Sequence, residues 1–450
     1  MVDYPSKRGG KVGTERDCVR VAIIGGGASG VLTAIHLLRV VPNGQIDLVE
    51  RSNALGGGIA YSTDAECHVL NVRAANMSAL PDDPCHFVTW LEGQEFEDQD
   101  PAKRFVPRSL YRRYLQDCLR EAQLGSSSIL SILRDEATSL AKKEKLCVSL
   151  ADSKDLAVDH AVLAIGNLPP CLPPGLAEAL DCGRIITNPW ERDVFSPIRA
   201  DTRVLIVGTG LTMVDTVLSL LAQGHQGPIH ARSRHGLVSK PHGPATPIPL
   251  EIRPEEEVIP KIIGALRNSG EDWRGVVDAL RPQTVELWQR LSWTQRRRFR
   301  NRLQVFWDVF RHRMPETAAS QLKSASCRGQ FNVAKGRLIR VTEIDGHLNV
   351  TLNGLLGREH LEVDWIVNCT GPSTDLRTAK LPILESAVAN GLVDYDPLSI
   401  GVMVDHLGRS VSCGQVWALG PICRGCRLET TAIPEIRAQA KNIAAEIGLS

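Results

Sequence analysis

Five apolar runs along the chain end in glycine. Val19-Arg-Val-Ala-Ile-Ile24 leads into Gly25-Gly-Gly-Ala-Ser-Gly30, Leu156–Ile165 into Gly166, Arg203-Val-Leu-Ile-Val207 into Gly208, the run from Leu361 into Gly371, and Val416-Trp-Ala-Leu419 into Gly420. Short apolar runs closed by glycine predict β-strands. After the first, third and fifth, the pattern changes to helical spacing. The first helix leads to a second strand ending in Glu50, the next reaches Leu221 and is stopped by Gly224, and the last covers Ile433–Ile447. Between these units lie a helix over Pro107–Ala122 with Leu110, Tyr114, Leu115 and Cys118 on one face, and a strand over Leu146–Leu150. Trp288–Met314 places Phe299, Leu303, Phe306 or Trp307, and Phe310 on one side of a single amphipathic helix whose arginines form a solvated face.

Residues 1–17 are polar, charged and without periodicity, so a disordered leader is expected there. The proline-rich stretch Leu168–Pro174 breaks the pattern and marks a boundary. The expected organisation is a first domain over 18–170, a second over 171–371 with a helical insertion at about 251–330, and a return to the first over 372–450.

The two strand–turn–helix–strand units carry chemistry. In the first, Gly25 permits the tight turn, Gly27 lets a pyrophosphate approach the backbone, and Gly30 lets the helix pack on the strand. Glu50 stands at the end of the next strand, where a carboxylate accepts hydrogen bonds from both hydroxyls of an adenosine ribose. The unit predicts a dinucleotide site. In the second, Gly208 and Gly210 recur, Thr212 or Met213 occupies the region of the third glycine, and the following strand, Ile229–Arg234, ends in Arg232 and Arg234 instead of an acid. The arginines, with Ser233 between them, suit a ribose 2′-phosphate.

Composition narrows the partners. Lys+Arg of 52 against Asp+Glu of 51 leaves no global field for nucleic acid or an anionic membrane, and 43% hydrophobic residues is ordinary for a globular chain. Apart from the segment around the first turn, no run approaches the ~18 apolar residues of a spanning helix. Twelve cysteines scattered over the length point to a reducing cytoplasm rather than a disulfide framework. Cys423-Arg-Gly-Cys426 has the spacing of a redox dithiol or half a zinc site; without a second pair, two ordinary thiols and no metal are expected.

Two dinucleotide units separated and followed by strand–glycine endings resemble the flavoprotein oxidoreductases in which a nicotinamide domain is inserted into a split FAD domain. The segments GGGIAYST, HVLNVRAANMSAL, VGTGLTMVD, WDVFRHRMPE and ALGPICRGCRLETTAIPEIRAQA are similar to a group that includes one type of FAD-dependent urate hydroxylase and the aspartate N-monooxygenases. The resemblance implies an α/β fold with two Rossmann-like domains, FAD on Gly25, Gly27, Gly30 and Glu50, and its ribityl or pyrophosphate part near Gly420 and Glu429–Thr431. NAD(P)H would lie on Gly208, Gly210 and Thr212. It further implies O2 as co-substrate and hydroxylation of a small nitrogen-rich molecule through a flavin hydroperoxide, with urate to 5-hydroxyisourate as the leading expectation. An aspartate-type N-hydroxylase, a flavoprotein disulfide reductase and a non-catalytic redox sensor remain as alternatives. Asn71, Arg73, Arg311 and His312 are the candidates for binding an anionic substrate.

Overall fold

The computed structural model describes residues 18–94, 100–246 and 248–449, so the expected leader at 1–17 lies outside the described residues. Two sheets organise them. In the first, five parallel strands run in the order Val416–Ala418, His160–Leu163, Arg20–Ile24, Gln45–Val49, Ile129–Leu133. The central strand can be apolar throughout because both of its faces are covered. On one face lie the helices Ala28–Val40, Arg108–Leu124 and Ile433–Leu449, enclosing a core that includes Ile23, Leu37, Tyr111 and Ile443. The other face is packed by a three-stranded antiparallel sheet (Ala137–Lys142, Leu146–Leu150, Leu156–Val158) and the helix Pro382–Ala389.

The second sheet has seven strands, ordered Gly357–Val363, His347–Gly354, Phe331–Ile344, Ile229–Ser233, Val204–Val207, Trp365–Asn368, Ile185–Ile186. Its last four are parallel to one another. Phe331–Ile344 pairs parallel with Ile229–Ser233 as far as Lys335 and antiparallel with His347–Gly354 from Gly336 onward, with an irregularity between Leu338 and Arg340. The chain crosses between the sheets at Pro170 and Pro372, which form an isolated antiparallel bridge.

Three expectations change. The Leu156–Ile165 run is two strands in different sheets. It is split at Asp159, whose N–H donates to the Arg20 carbonyl (2.8 Å) and whose carboxylate accepts from the Arg20 N–H (2.9 Å). Trp288–Met314 is the end of one helix followed by two more: Thr284–Arg290, Trp293–Arg302 and Gln304–Arg311. The first break is written as a capping box, Ser292 with Gln295, and Leu291 before it is extended. The arginines there are not uniformly solvated either: Arg296 is buried, 5.5 Å from the Trp288 ring centre and 4.3 Å from that of Trp293. Finally, Glu316–Cys327 falls within the expected insertion but packs with the helix Leu211–Ala222 in the core of the second sheet.

No helix among the described residues is long and apolar enough to cross a membrane. All twelve cysteines are free thiols, and no cluster of three or more metal-ligating side chains occurs among the described residues.

Candidate active site

The first turn is built by backbone approach. Gly25 has φ +105°, and a Cβ there would lie 2.5 Å from the Ala164 carbonyl oxygen. A Cβ on Gly30 would lie 1.9 Å from the Gly25 oxygen, so only glycine lets the helix start on the strand end. Glu50 uses both carboxylate oxygens: Oε2 accepts from the Gly26 N–H (2.7 Å) and Oε1 from the Ser52 N–H (2.7 Å). Across from Gly27 sits Gly58, the first residue of a single helical turn, Gly58–Tyr61. A Cβ on Gly27 would be 3.4 Å from the Gly58 Cα. The slot between them therefore carries no side chain on either wall. The helix beyond Gly27 has no capping side chain and no acid in its first turn, leaving its N–H groups free for an anion. These residues fit the ADP half of FAD.

The second turn repeats this geometry. Gly208 has φ +117° and a Cβ there would sit 2.1 Å from the Cys369 oxygen. Gly210 has open space where its side chain would be, and Thr212 faces a large cavity. The site residues on the next strand need correction. The Gly25 N–H donates to the Val49 carbonyl, and the Gly208 N–H to that of Arg232, so Arg232 is the counterpart of Val49 and Ser233 that of Glu50. Side chains alternate along a strand, so Arg232 lies one position out of phase with the ligand side. It is buried and bound to Glu359 (2.8 Å) and the Asn332 side chain (3.0 Å). Arg234 is exposed, and Ser233, expected with the arginines to suit a 2′-phosphate, shares a hydrogen bond with Thr209 (2.8 Å).

A cavity of about 940 Å³ is lined by residues of both units. It is walled by Tyr61 and Asn71 from the first unit, Thr212 from the second, Arg311 from the helical insertion, and Thr431 at the start of the last helix. Asn71, Arg73, Arg311 and His312, separated by up to 241 residues in sequence (312 − 71), all line it. Two of these are less free than expected. Arg73 pairs with Glu316 (3.3 Å) over the Phe105 ring, and Arg311 pairs with Glu429 (3.3 Å) and Glu435 (3.6 Å). Burial alone would raise the Glu429 carboxyl, but Arg311, His312, the Trp307 N–H and Arg281 outweigh it and hold it below its ordinary value. Gly420 also departs from expectation. It is buried, its N–H donating to Gln439 Oε1 (3.0 Å), and a Cβ would come within 2.9 Å of Ser29 Oγ. It lets the last segment close on the first helix, while Thr431 is on the cavity wall.

Other wall residues were not singled out from the sequence. Arg108 and Asp215 form a buried pair at 2.8 Å that joins the two units. His242 lines the cavity, its Nε2 2.9 Å from the Asn71 carbonyl oxygen. A carbonyl only accepts, so Nε2 carries the hydrogen and Nδ1 keeps a lone pair. Burial pulls the His242 pKa below its ordinary value, with Arg313 and Arg73 adding to that and the Asn71 hydrogen bond and Glu316 opposing it. Arg424, which sits within the cysteine-flanked segment, is also on the wall. Cys423 and Cys426 themselves are buried, and burial pushes the Cys423 thiol up to about 12.

Residues 22–168 match a protein family described as FAD-NAD(P)-binding. The uncharacterized protein YdhS of Escherichia coli (strain K12) is 24% identical over 219 residues, which span 45% of this chain and 40% of that protein. Among solved structures, the ornithine N-hydroxylase of Kutzneria sp. 744 superposes with a TM-score of 0.63 at 15% identity, covering 96% of this chain and 99% of that one. The FAD-bound cadaverine monooxygenase DfoA of Erwinia amylovora gives 0.67 at 12% identity, over 95% and 94%. The bacillithiol disulfide reductase of Bacillus cereus gives 0.57 at 15%, over 96% and 99%. The chain thus has the α/β fold of flavoproteins that combine an FAD-binding and an NAD(P)-binding Rossmann-like unit. Monooxygenases and reductases share that fold, so activity has to be argued from the site.

Proposed function

We propose that this chain is an FAD-dependent, NAD(P)H-using monooxygenase that hydroxylates the amino nitrogen of a small acidic amino acid, in the manner of the aspartate type. The observation that carries this reading is the shared cavity: the segments Ile59–Tyr61 and Leu70–Arg73 of the first unit, the start of the second unit's helix at Leu211 and Thr212, the insertion and the start of the last helix all line one chamber of about 940 Å³, the upper end of the range for ligand sites. Bound there, FAD supplies the hydride acceptance and oxygen activation that no side chain can perform.

The chain's own residues have three tasks. Tyr61, Leu70, Met77 and Trp190 give the chamber an apolar lining that excludes bulk water. The Arg108–Asp215 pair, with Trp190 5.5 Å from the Arg108 guanidinium, ties the second unit's helix to the first unit and holds the chamber closed on that side. His242 takes the proton. An ammonium has no lone pair to receive oxygen, and the bare Nδ1 of a neutral histidine is a base that can relieve it.

Three further readings rank below this one. The arginines and the amides of Asn71 and Asn368 on the wall would also suit urate, a purine monoanion. A disulfide reductase needs an accessible thiolate, whereas Cys423 and Cys426 are buried and held protonated. A non-catalytic redox sensor would leave a His242 base without work. The test is O2 uptake and hydroxylamine formation by the FAD-loaded protein with NADH and NADPH, screened against aspartate, ornithine and urate. Coupled hydroxylamine formation from aspartate is expected. Ring hydroxylation of urate would move the assignment to the purine reading, and peroxide as the sole product with every compound would sink the monooxygenase reading. His242→Gln should lower kcat/KM by roughly 10²–10³. Because burial keeps His242 neutral, the wild-type activity should persist below pH 6.5 before its acid limb begins.

A further inference from the structure

Six arginines border the cavity: Arg73, Arg108, Arg281, Arg311, Arg313 and Arg424. Five already face a carboxylate: Glu316 at 3.3 Å for Arg73, Asp215 at 2.8 Å for Arg108, Glu435 at 3.2 Å for Arg281, Glu429 at 3.3 Å for Arg311 and Asp278 at 2.7 Å for Arg313. Arg424 has no carboxylate partner among the described residues. Its Nη2 donates to the neutral amide oxygen of Asn167 at 3.0 Å. The guanidinium is half-buried with its direct hydrogen bond to a neutral acceptor, and burial moves the Arg424 pKa below its ordinary value while Asp308 and Glu429, outside ion-pair distance, oppose the shift without cancelling it.

Something must hold it there, and the backbone shows what. The carbonyl of Gly425 accepts from Trp288 Nε1 (2.9 Å) and from Arg296 Nη1 (3.2 Å). Arg296 is itself held between Trp288 and Trp293. On the other side Asp396 packs so closely that a Cβ on Gly425 would lie 2.1 Å from its Oδ2. The helical insertion and the loop carrying Asp396 thus clamp the residue next to Arg424. Nearby, Nη2 of Arg281 and Nε of Arg311 have no hydrogen-bond acceptor, and Arg311 Nη2 meets Glu429 (3.3 Å) and Glu435 (3.6 Å) as ion pairs without hydrogen-bond geometry. Arg281 and Arg311 share Glu435, and Arg311 and Arg424 both feel Glu429. The three groups belong to one corner of the chamber.

We propose that Arg424 is the anion-recognition residue of this cavity and that, beside the cationic side chains of Arg281 and Arg311, it holds the carboxylate of an acidic amine substrate. A carboxylate gives a guanidinium two parallel charge-assisted bonds, which an amide cannot. The phosphates of the two dinucleotides are the other anions at hand, and they are served by the glycine turns at Gly25–Gly30 and Gly208–Thr212, each with an uncapped helix start. The pocket deepens the N-hydroxylase reading but rests on it only for the identity of the amine.

The experiment titrates the FAD-loaded full chain with L-aspartate, succinate and 1,4-diaminobutane, following the flavin absorbance, in the wild type and in Arg424→Gln and Arg424→Lys. The expected result is binding of aspartate and succinate but not of the diamine by the wild type. Arg424→Gln should retain its flavin and bind both carboxylates roughly 30-fold or more weaker, and Arg424→Lys should recover part of the loss. Loss of FAD in both variants would reassign Arg424 to the cofactor. Carboxylate binding unchanged in Arg424→Gln, or absent from the wild type, would also overturn the proposal. The two readings fail separately. A wild type that binds aspartate through Arg424 without making hydroxylamine keeps the pocket and loses the reaction. Hydroxylamine formed from aspartate with the same KM in Arg424→Gln keeps the reaction and loses the pocket.

Discussion

At the first glycine turn a strand ends against the Ala164 carbonyl, and the Gly25 N–H is bonded to Val49. At the second, the same strand end meets the Cys369 carbonyl, with the Gly208 N–H bonded to Arg232. The backbones are alike, and the side chains around them diverge. In the first unit Gly26 is backed by the Glu50 carboxylate and Gly27 is roofed by Gly58. In the second unit Thr209 leans on Ser233, and nothing lies within reach of Gly210. The helix starts differ as well: Gly30 permits contact with the turn, whereas Met213 at the same spacing is a fully buried core residue. A roofed slot with a carboxylate suits a dinucleotide that stays, and an open one suits a coenzyme that comes and goes.

Substitutions can break or sharpen that contrast. The largest effect belongs to Gly30→Ala, which sets a Cβ 1.9 Å from the Gly25 oxygen. It should yield flavin-free or insoluble protein, read from the visible spectrum, whereas Met213→Ala should cost about 2–5 kcal/mol of stability and leave the flavin bound. Gly208→Ala should keep FAD but slow reduction by NAD(P)H by roughly 100-fold or more, measured anaerobically. Both units losing FAD together would erase the proposed division of roles.

Acid should act on the first unit through His36, a buried side chain of its helix whose pKa burial, with Arg39 and Lys441, lowers to about 4. The unfolded chain then binds this proton first, so stability falls as pH drops from about 6.5 toward about 4, by about 3 kcal/mol in all. Denaturant midpoints across that range should show the slope, and His36→Gln should flatten it. The smallest effect separates two neighbours on one strand. Arg232→Met should cost about 1–3 kcal/mol by leaving Glu359 unpaired, with no change in coenzyme preference, while Arg234→Ala should raise KM for NADPH several-fold and spare NADH.

Much of the first turn was legible because a positive φ or a close backbone approach leaves a single residue type possible, and Gly25, Gly30 and Gly208 therefore declare themselves. Arg232 misled for the opposite reason. Strand direction could be read but its phase could not, since one residue separates the ligand side from the interior. The arginine-rich stretch was read as one helix because its period survives two breaks; the Ser292–Gln295 box was the signal that marked the first. The cavity wall was the least legible part. Arg108 meets Asp215 across 107 positions, His242 meets Asn71 across 171, and Arg424 meets Asn167 across 257, with no local pattern announcing any of them.

The helix Ala28–Val40 has ten buried residues of thirteen, and much of that burial is against Ile433–Leu449. During synthesis these two segments are separated by nearly four hundred residues (433 − 40 = 393). At about 5–20 residues per second the earlier helix waits about 20–80 s for its cover. Throughout that interval the face that Ile433–Leu449 will cover stays bare on the nascent chain, which makes this unit a natural client for a ribosome-associated chaperone.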